Sequence, residues 1–99
     1  MSDLFERTQA EFNRGQADFL MTELATCSRC VYLAATTSKA GNSGFADRQI
    51  VDAENAYATA RKLLADSNFC RHLTIKALQE ARRSMQELRT RLDQLSRPP

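Results

Sequence analysis

The chain has 99 residues, of which 42% are hydrophobic and 26% are charged, and its formal net charge at pH 7 is +2. This balance is typical of a globular protein and unlike that of a disordered chain, and the length fits one domain over residues 1–99. No apolar run approaches about 20 residues and no secretory signal is readable at the start, so neither membrane insertion nor export is expected. We therefore predict a cytoplasmic protein.

The first predicted element is a helix over about residues 3–36. Phe5, Phe12 and Phe19 recur at spacings of seven, which is typical of one face of a helix. A second apolar series follows at spacings of four and three and consists of Leu20, Leu24, Cys27, Val31 and Ala34. Gly15 lies between two of the phenylalanines, where its missing side chain permits another helix to approach closely. The two series together predict one apolar stripe that drifts slowly around the helix.

A loop is predicted over residues 37–45, because β-branched residues, glycines and other turn-forming residues occur there without an apolar period. A second helix is predicted over residues 46–66, with Ile50, Tyr57 and Leu64 at spacings of seven. Alanines occupy much of the rest of this helix. Such slim sides suit the middle of a tightly packed bundle.

The third predicted helix covers residues 68–96 and contains the most regular pattern in the chain. Its apolar residues alternate at spacings of three and four, as in a coiled-coil heptad, and are Leu78, Ala81, Met85, Leu88, Leu92 and Leu95. The short polar residues Asp66, Ser67 and Asn68 favour a helix boundary before it. Without that boundary, a single helix over residues 46–95 would be about 75 Å long.

The predicted fold class is all-α, an antiparallel three-helix bundle with long, coiled-coil-like helices, because short connections place successive helices side by side. Charge is unevenly distributed, since residues 67–99 carry +4 whereas residues 1–40 and 41–66 each carry −1. We expect arginines of the third helix to face acidic side chains of the first. The arginines are Arg82, Arg89 and Arg91, and the acids are Asp3, Glu6, Glu11, Asp18 and Glu23.

Cys27 and Cys30 form a Cys-x-x-Cys pair, and Cys70 with His72 adds two further donors of the kinds that bind zinc. The pair falls inside a predicted helix, and Cys70 and His72 are two residues apart, so they point to different helix faces. Structural thiols, reduced because an odd number cannot pair fully, are therefore the favoured interpretation. Metal binding or redox chemistry by these four residues is the alternative, and no cofactor is predicted.

Catalysis is not expected, because no nucleophile with a base, no converging carboxylate pair and no phosphate-binding glycine loop is readable. The favoured hypothesis is a helical module that binds another helical protein or associates with itself as a homodimer. Its candidate interface residues on the last helix are Leu78, Met85, Leu88, Leu92, Leu95, Arg82 and Arg89. The same apolar side chains also suit the core of a monomer, and the basic last helix leaves nucleic-acid binding as a further alternative.

Overall fold

The computed structural model of the protein describes residues 2–96, apart from the side chains of Ser2 and Phe5. Within that range all regular structure is helical, so the predicted all-α class is confirmed. The helices in this range are α1 (Ser2–Lys39), α2 (Ser43–Ala65), α3 (Ser67–Cys70) and α4 (Ile75–Ser96). The predicted role of Phe5 in the apolar stripe lies outside the described side chains.

The first helix is much longer than the helices that pack on it. The 38 residues of α1 extend about 57 Å, whereas the 23 residues of α2 extend about 35 Å. The described chain is correspondingly elongated, with extents of 60 × 19 × 17 Å. Because α2 begins directly after a short turn and packs along α1, it covers only the later part of that helix.

The turn between α1 and α2 is shorter than the loop predicted over residues 37–45. The first helix continues into this stretch as far as Lys39, and the Thr37 hydroxyl donates a hydrogen bond of 2.6 Å to a helix carbonyl four residues earlier. Gly41, with a φ of 87°, takes the left-handed backbone that follows the end of the helix. Asn42 then caps α2, since its side-chain oxygen accepts a hydrogen bond from the Phe45 amide at 3.2 Å.

A helix boundary is present where the short polar residues predicted one, and the single helix over residues 46–95 does not form. Asp66 has an extended backbone, and its carboxylate accepts hydrogen bonds from two amides of α3. The last long helix begins at Ile75, later than the predicted residue 68, because the short α3 intervenes. The Thr74 hydroxyl caps this helix by accepting from an amide three residues later at 3.0 Å.

The core lies where α1, α2 and α4 meet, and α3 closes one end of it. Its buried members are Leu20, Leu24, Cys27, Cys30, Val31, Ala53, Ala56, Ala60, Phe69, Ala81, Met85, Leu88 and Leu92. Alanines supply the α2 side, which lets that helix approach its neighbours closely, and larger side chains of α1 and α4 fill the space. The second apolar series of α1 and the heptad of α4 thus both build the interior.

Candidate functional site

The apolar residues predicted as an interface on α4 are used mainly inside the chain. Met85, Leu88 and Leu92 are buried, while Leu78 and Leu95 are half-buried. Their heptad spacing therefore corresponds to core packing, which is the interpretation that the sequence had left open beside the interface. The buried residues of this heptad are therefore not available to a partner.

Arg89, another predicted interface residue, forms the polar link between α4 and α2. Its guanidinium donates hydrogen bonds to both carboxylate oxygens of Glu54, at 2.9 and 2.6 Å, and another to Asp93. The guanidinium carbon also lies 4.9 Å from the centre of the Tyr57 ring. These hydrogen bonds hold the pKa of Glu54 below its usual value and raise the pKa of Arg89, because each favours the charged form of its partner.

The expected pairing of α4 arginines with α1 acids is not found. Within residues 2–96, ion pairs join Arg89 to α2 and to its own helix, and none joins α4 to α1. Arg82 and Arg91 are exposed. The reason is geometric, because three of the five acids precede Phe12, on a part of α1 that extends beyond the helices packed against it.

The cysteines lie in largely apolar surroundings. Cys27 and Cys30 are buried. The thiol of the half-buried Cys70 donates a hydrogen bond to a helix carbonyl at 3.1 Å. Burial raises the pKa of the Cys27 thiol to about 11, and it also raises the pKa of Cys30. A protonated thiol is a weak nucleophile and a poor metal ligand. His72 lies half-buried before α4, and the described part of the chain contains no group of three or more potential metal ligands.

The first part of α1 projects beyond the rest of the molecule. Among the described side chains of residues 3–19 none is buried, and the first buried one is Leu20. We call residues 2–11 the projecting segment, which carries three acidic side chains and one basic side chain, a net charge of −2. A lone helix of this length is marginal in water, because most helical stability in proteins comes from packing an apolar face.

Large apolar side chains lie uncovered along this part of α1. Leu4, Phe12 and Phe19 are exposed by 71%, 56% and 49%, and their helical spacing places them on one face together with Gly15. Among the described residues, apart from the chain neighbours and the nearby helix backbone, no atom lies within 4 Å of the position that a Cβ at Gly15 would occupy. We call these four residues the exposed α1 stripe. The phenylalanines were predicted to continue the core stripe, but Phe12 and Phe19 remain about half exposed beside the end of α2.

An open groove lies where the exposed α1 stripe meets the end of α2 and the short helix α3. We call it the end groove, and its lining is Phe12, Gly15, Gln16, Phe19, Leu63 and Phe69. Its volume is about 360 Å³ and its lining is mostly apolar. The side-chain oxygen Oε1 of Gln16 is buried and accepts no hydrogen bond from any described residue.

The part of the chain from the end of α2 to the start of α4, beside the end groove, is basic. We call residues 61–76 the basic end, which carries four basic side chains and one acidic side chain, a net charge of +3. The basic residues are Arg61, Lys62, Arg71 and Lys76, and all four are exposed. The sequence had indicated a basic final third but not this concentration beside an apolar groove.

A second groove runs between α1 and α4. Met21 and Tyr32, exposed by 52% and 67%, lie along its α1 side. Glu87 and Arg91 lie on its α4 side, so opposite charges stand close together there. This groove consequently shows no preference for a partner of either charge.

Comparison of the chain with protein-family models, curated proteins and solved structures finds no match in any of the three. Among the helices of residues 2–96, none is sufficiently long and apolar to cross a membrane. The function of the protein is therefore inferred from its own surface.

Proposed function

We propose that this protein is a helical interaction module of the cytoplasm that associates with itself as a homodimer through the exposed α1 stripe. The observation that carries the proposal is the set of large apolar side chains that the chain leaves uncovered on one face of a projecting helix. Uncovered apolar faces with polar surroundings typically mark interaction sites. Two-fold pairing of identical chains is the commonest assembly, since one surface supplies both halves of the contact. The free cysteines are typical of a reducing compartment.

The proposal includes an antiparallel three-helix bundle as the platform that holds α1. The helix order and the residues that share a groove support this arrangement. The short turn after α1 sends α2 back along it. On α4, Ser84 shares a groove with Met21 of α1, and Leu95 shares one with Tyr32 further along α1. The direction of α4 is therefore that of α1 and opposite to that of α2.

Sedimentation velocity over a range of protein concentrations tests self-association. The wild-type chain is expected to pass from monomer to dimer as its concentration rises. Phe12→Ser is expected to raise the dissociation constant at least about tenfold, a loss of about 1.4 kcal/mol, because aromatic anchors dominate the energy of interfaces.

The matched control is Tyr32→Ser, which removes an exposed aromatic side chain outside the exposed α1 stripe and is expected to leave the dissociation constant unchanged. Circular dichroism verifies that both variants keep their helical content. A wild-type chain that stays monomeric at all concentrations would overturn the proposed function.

A further inference from the structure

We propose that the two copies pair antiparallel, with the projecting segment of each copy seated in the end groove of the other and facing its basic end. This inference rests on the proposed self-association and specifies its geometry. Two features of the described chain support it: an uncovered helix face and a pair of complementary charges.

The uncovered face lies on the side of α1 that packs against α2 further along the helix. Phe12 and Phe19 line the end groove together with Leu63 of α2, so the exposed α1 stripe begins where α2 ends. A helix that packs on this face beyond the end of α2 would cover the exposed α1 stripe. The projecting segment of a second copy is such a helix when it runs antiparallel to α1, and its Leu4, exposed by 71%, supplies an apolar side chain for the groove. The open position at Gly15 permits a close approach.

The charges select a second copy of this chain as the occupant. The projecting segment carries −2 and the basic end carries +3. Within one chain the tip of the projecting segment points away from the basic end, because α1 is one continuous helix. Antiparallel pairing brings each acidic tip to the basic end of the other copy, whereas parallel pairing places like charges together. At 0.1 M salt such attraction acts over about 10 Å.

Charge reversal with mixing tests the proposed geometry. One variant, Asp3→Lys with Glu6→Lys, makes the projecting segment basic; the other, Lys62→Glu with Arg71→Glu, reverses charge at the basic end. Each variant alone is expected to dimerise at least tenfold more weakly than wild type at low salt. An equimolar mixture is expected to regain dimerisation within about threefold of wild type, because each segment then meets an end of opposite charge.

The matched control is Lys39→Glu with Arg48→Glu, an equal charge change at the far end of the bundle, which is expected to dimerise like wild type. Helical content by circular dichroism is recorded for every variant. If wild type dimerises but the mixture stays as weak as its components, or neither variant weakens the dimer, the antiparallel seating is overturned while self-association stands. If wild type itself is monomeric, the proposed function fails.

Discussion

Glu54 and Arg89 join α2 to α4 through two hydrogen bonds of 2.9 and 2.6 Å. Their side chains remain 39% and 34% exposed, so water screens part of the attraction. A pair in this setting contributes about 0.5–1 kcal/mol, and the two-pronged geometry favours the upper part of that range. Its main role is to fix the rotation of α4 against α2, since a guanidinium meets a carboxylate in this way in few orientations.

The Glu54→Gln variant is expected to lower the free energy of unfolding by about 1 kcal/mol at pH 7. Arg89 holds the pKa of Glu54 below its ordinary value of 4.5, so the stabilisation is fully present above that pH. It is lost as the pH falls through the lowered pKa of the folded state, and variant and wild type should converge in acid.

Urea denaturation at a series of pH values measures this difference. Glu80→Gln is the control, because Glu80 is exposed and forms no ion pair among the described residues, and its effect should stay within about 0.5 kcal/mol. A Glu54→Gln effect that keeps its full size in acid would show that the ion pair is not its cause.

At the scale of elements, the α1–α2 turn depends on a glycine that adopts a conformation other residues avoid. Gly41 has a φ of 87°, so Gly41→Ala is expected to lower the free energy of unfolding by about 1–2 kcal/mol. Gly44 lies in the first turn of α2 with open space around it, so Gly44→Ala is expected to raise that free energy by about 0.4–1 kcal/mol. Chemical denaturation of both variants measures the contrast, and two changes of the same sign would contradict the assigned turn.

Apolar periodicity predicted much of the helical architecture, because the spacing of core residues within one helix is a local property. The predicted start of the last helix was displaced because the side chains of Asp66 and Thr74 cap two separate helices, α3 and α4. The Glu54–Arg89 pair was not predicted, since it depends on how two distant helices are rotated against each other. The sequence also had no local signal for the end groove, which α1 shares with α2 and with Phe69 of α3.

The apolar heptad of α4 shows that one face of the helix is covered, but it does not show which surface covers it. A heptad is the same whether its partner is in the same chain or in another, so the residues of α4 suited both core and interface. The predicted bounds, 3–36 for the first helix and 46–66 for the second, did not predict the exposed α1 stripe, because the sequence pattern assigned Phe12 and Phe19 to the apolar stripe of the core.

The described chain is elongated, and its helices pack against one another over only part of that length. Three helices surround a core over the part of α1 from Leu20 onwards, while the projecting segment has no buried side chain among those described and exposes Leu4. An unsupported segment of this length unfolds readily in water, and packing against another chain would stabilise it. The fraction of the chain in the dimer and the helical order of the projecting segment are therefore expected to rise together.

Hydrogen exchange at low and high protein concentration tests this coupling directly. As the chain passes from monomer to dimer, the amides of residues 2–11 should exchange more slowly, while those of residues 43–65, already packed in the core, should keep their rates. Exchange in residues 2–11 that is equally fast at every concentration would contradict the central claim that a second copy of the chain covers the exposed α1 stripe.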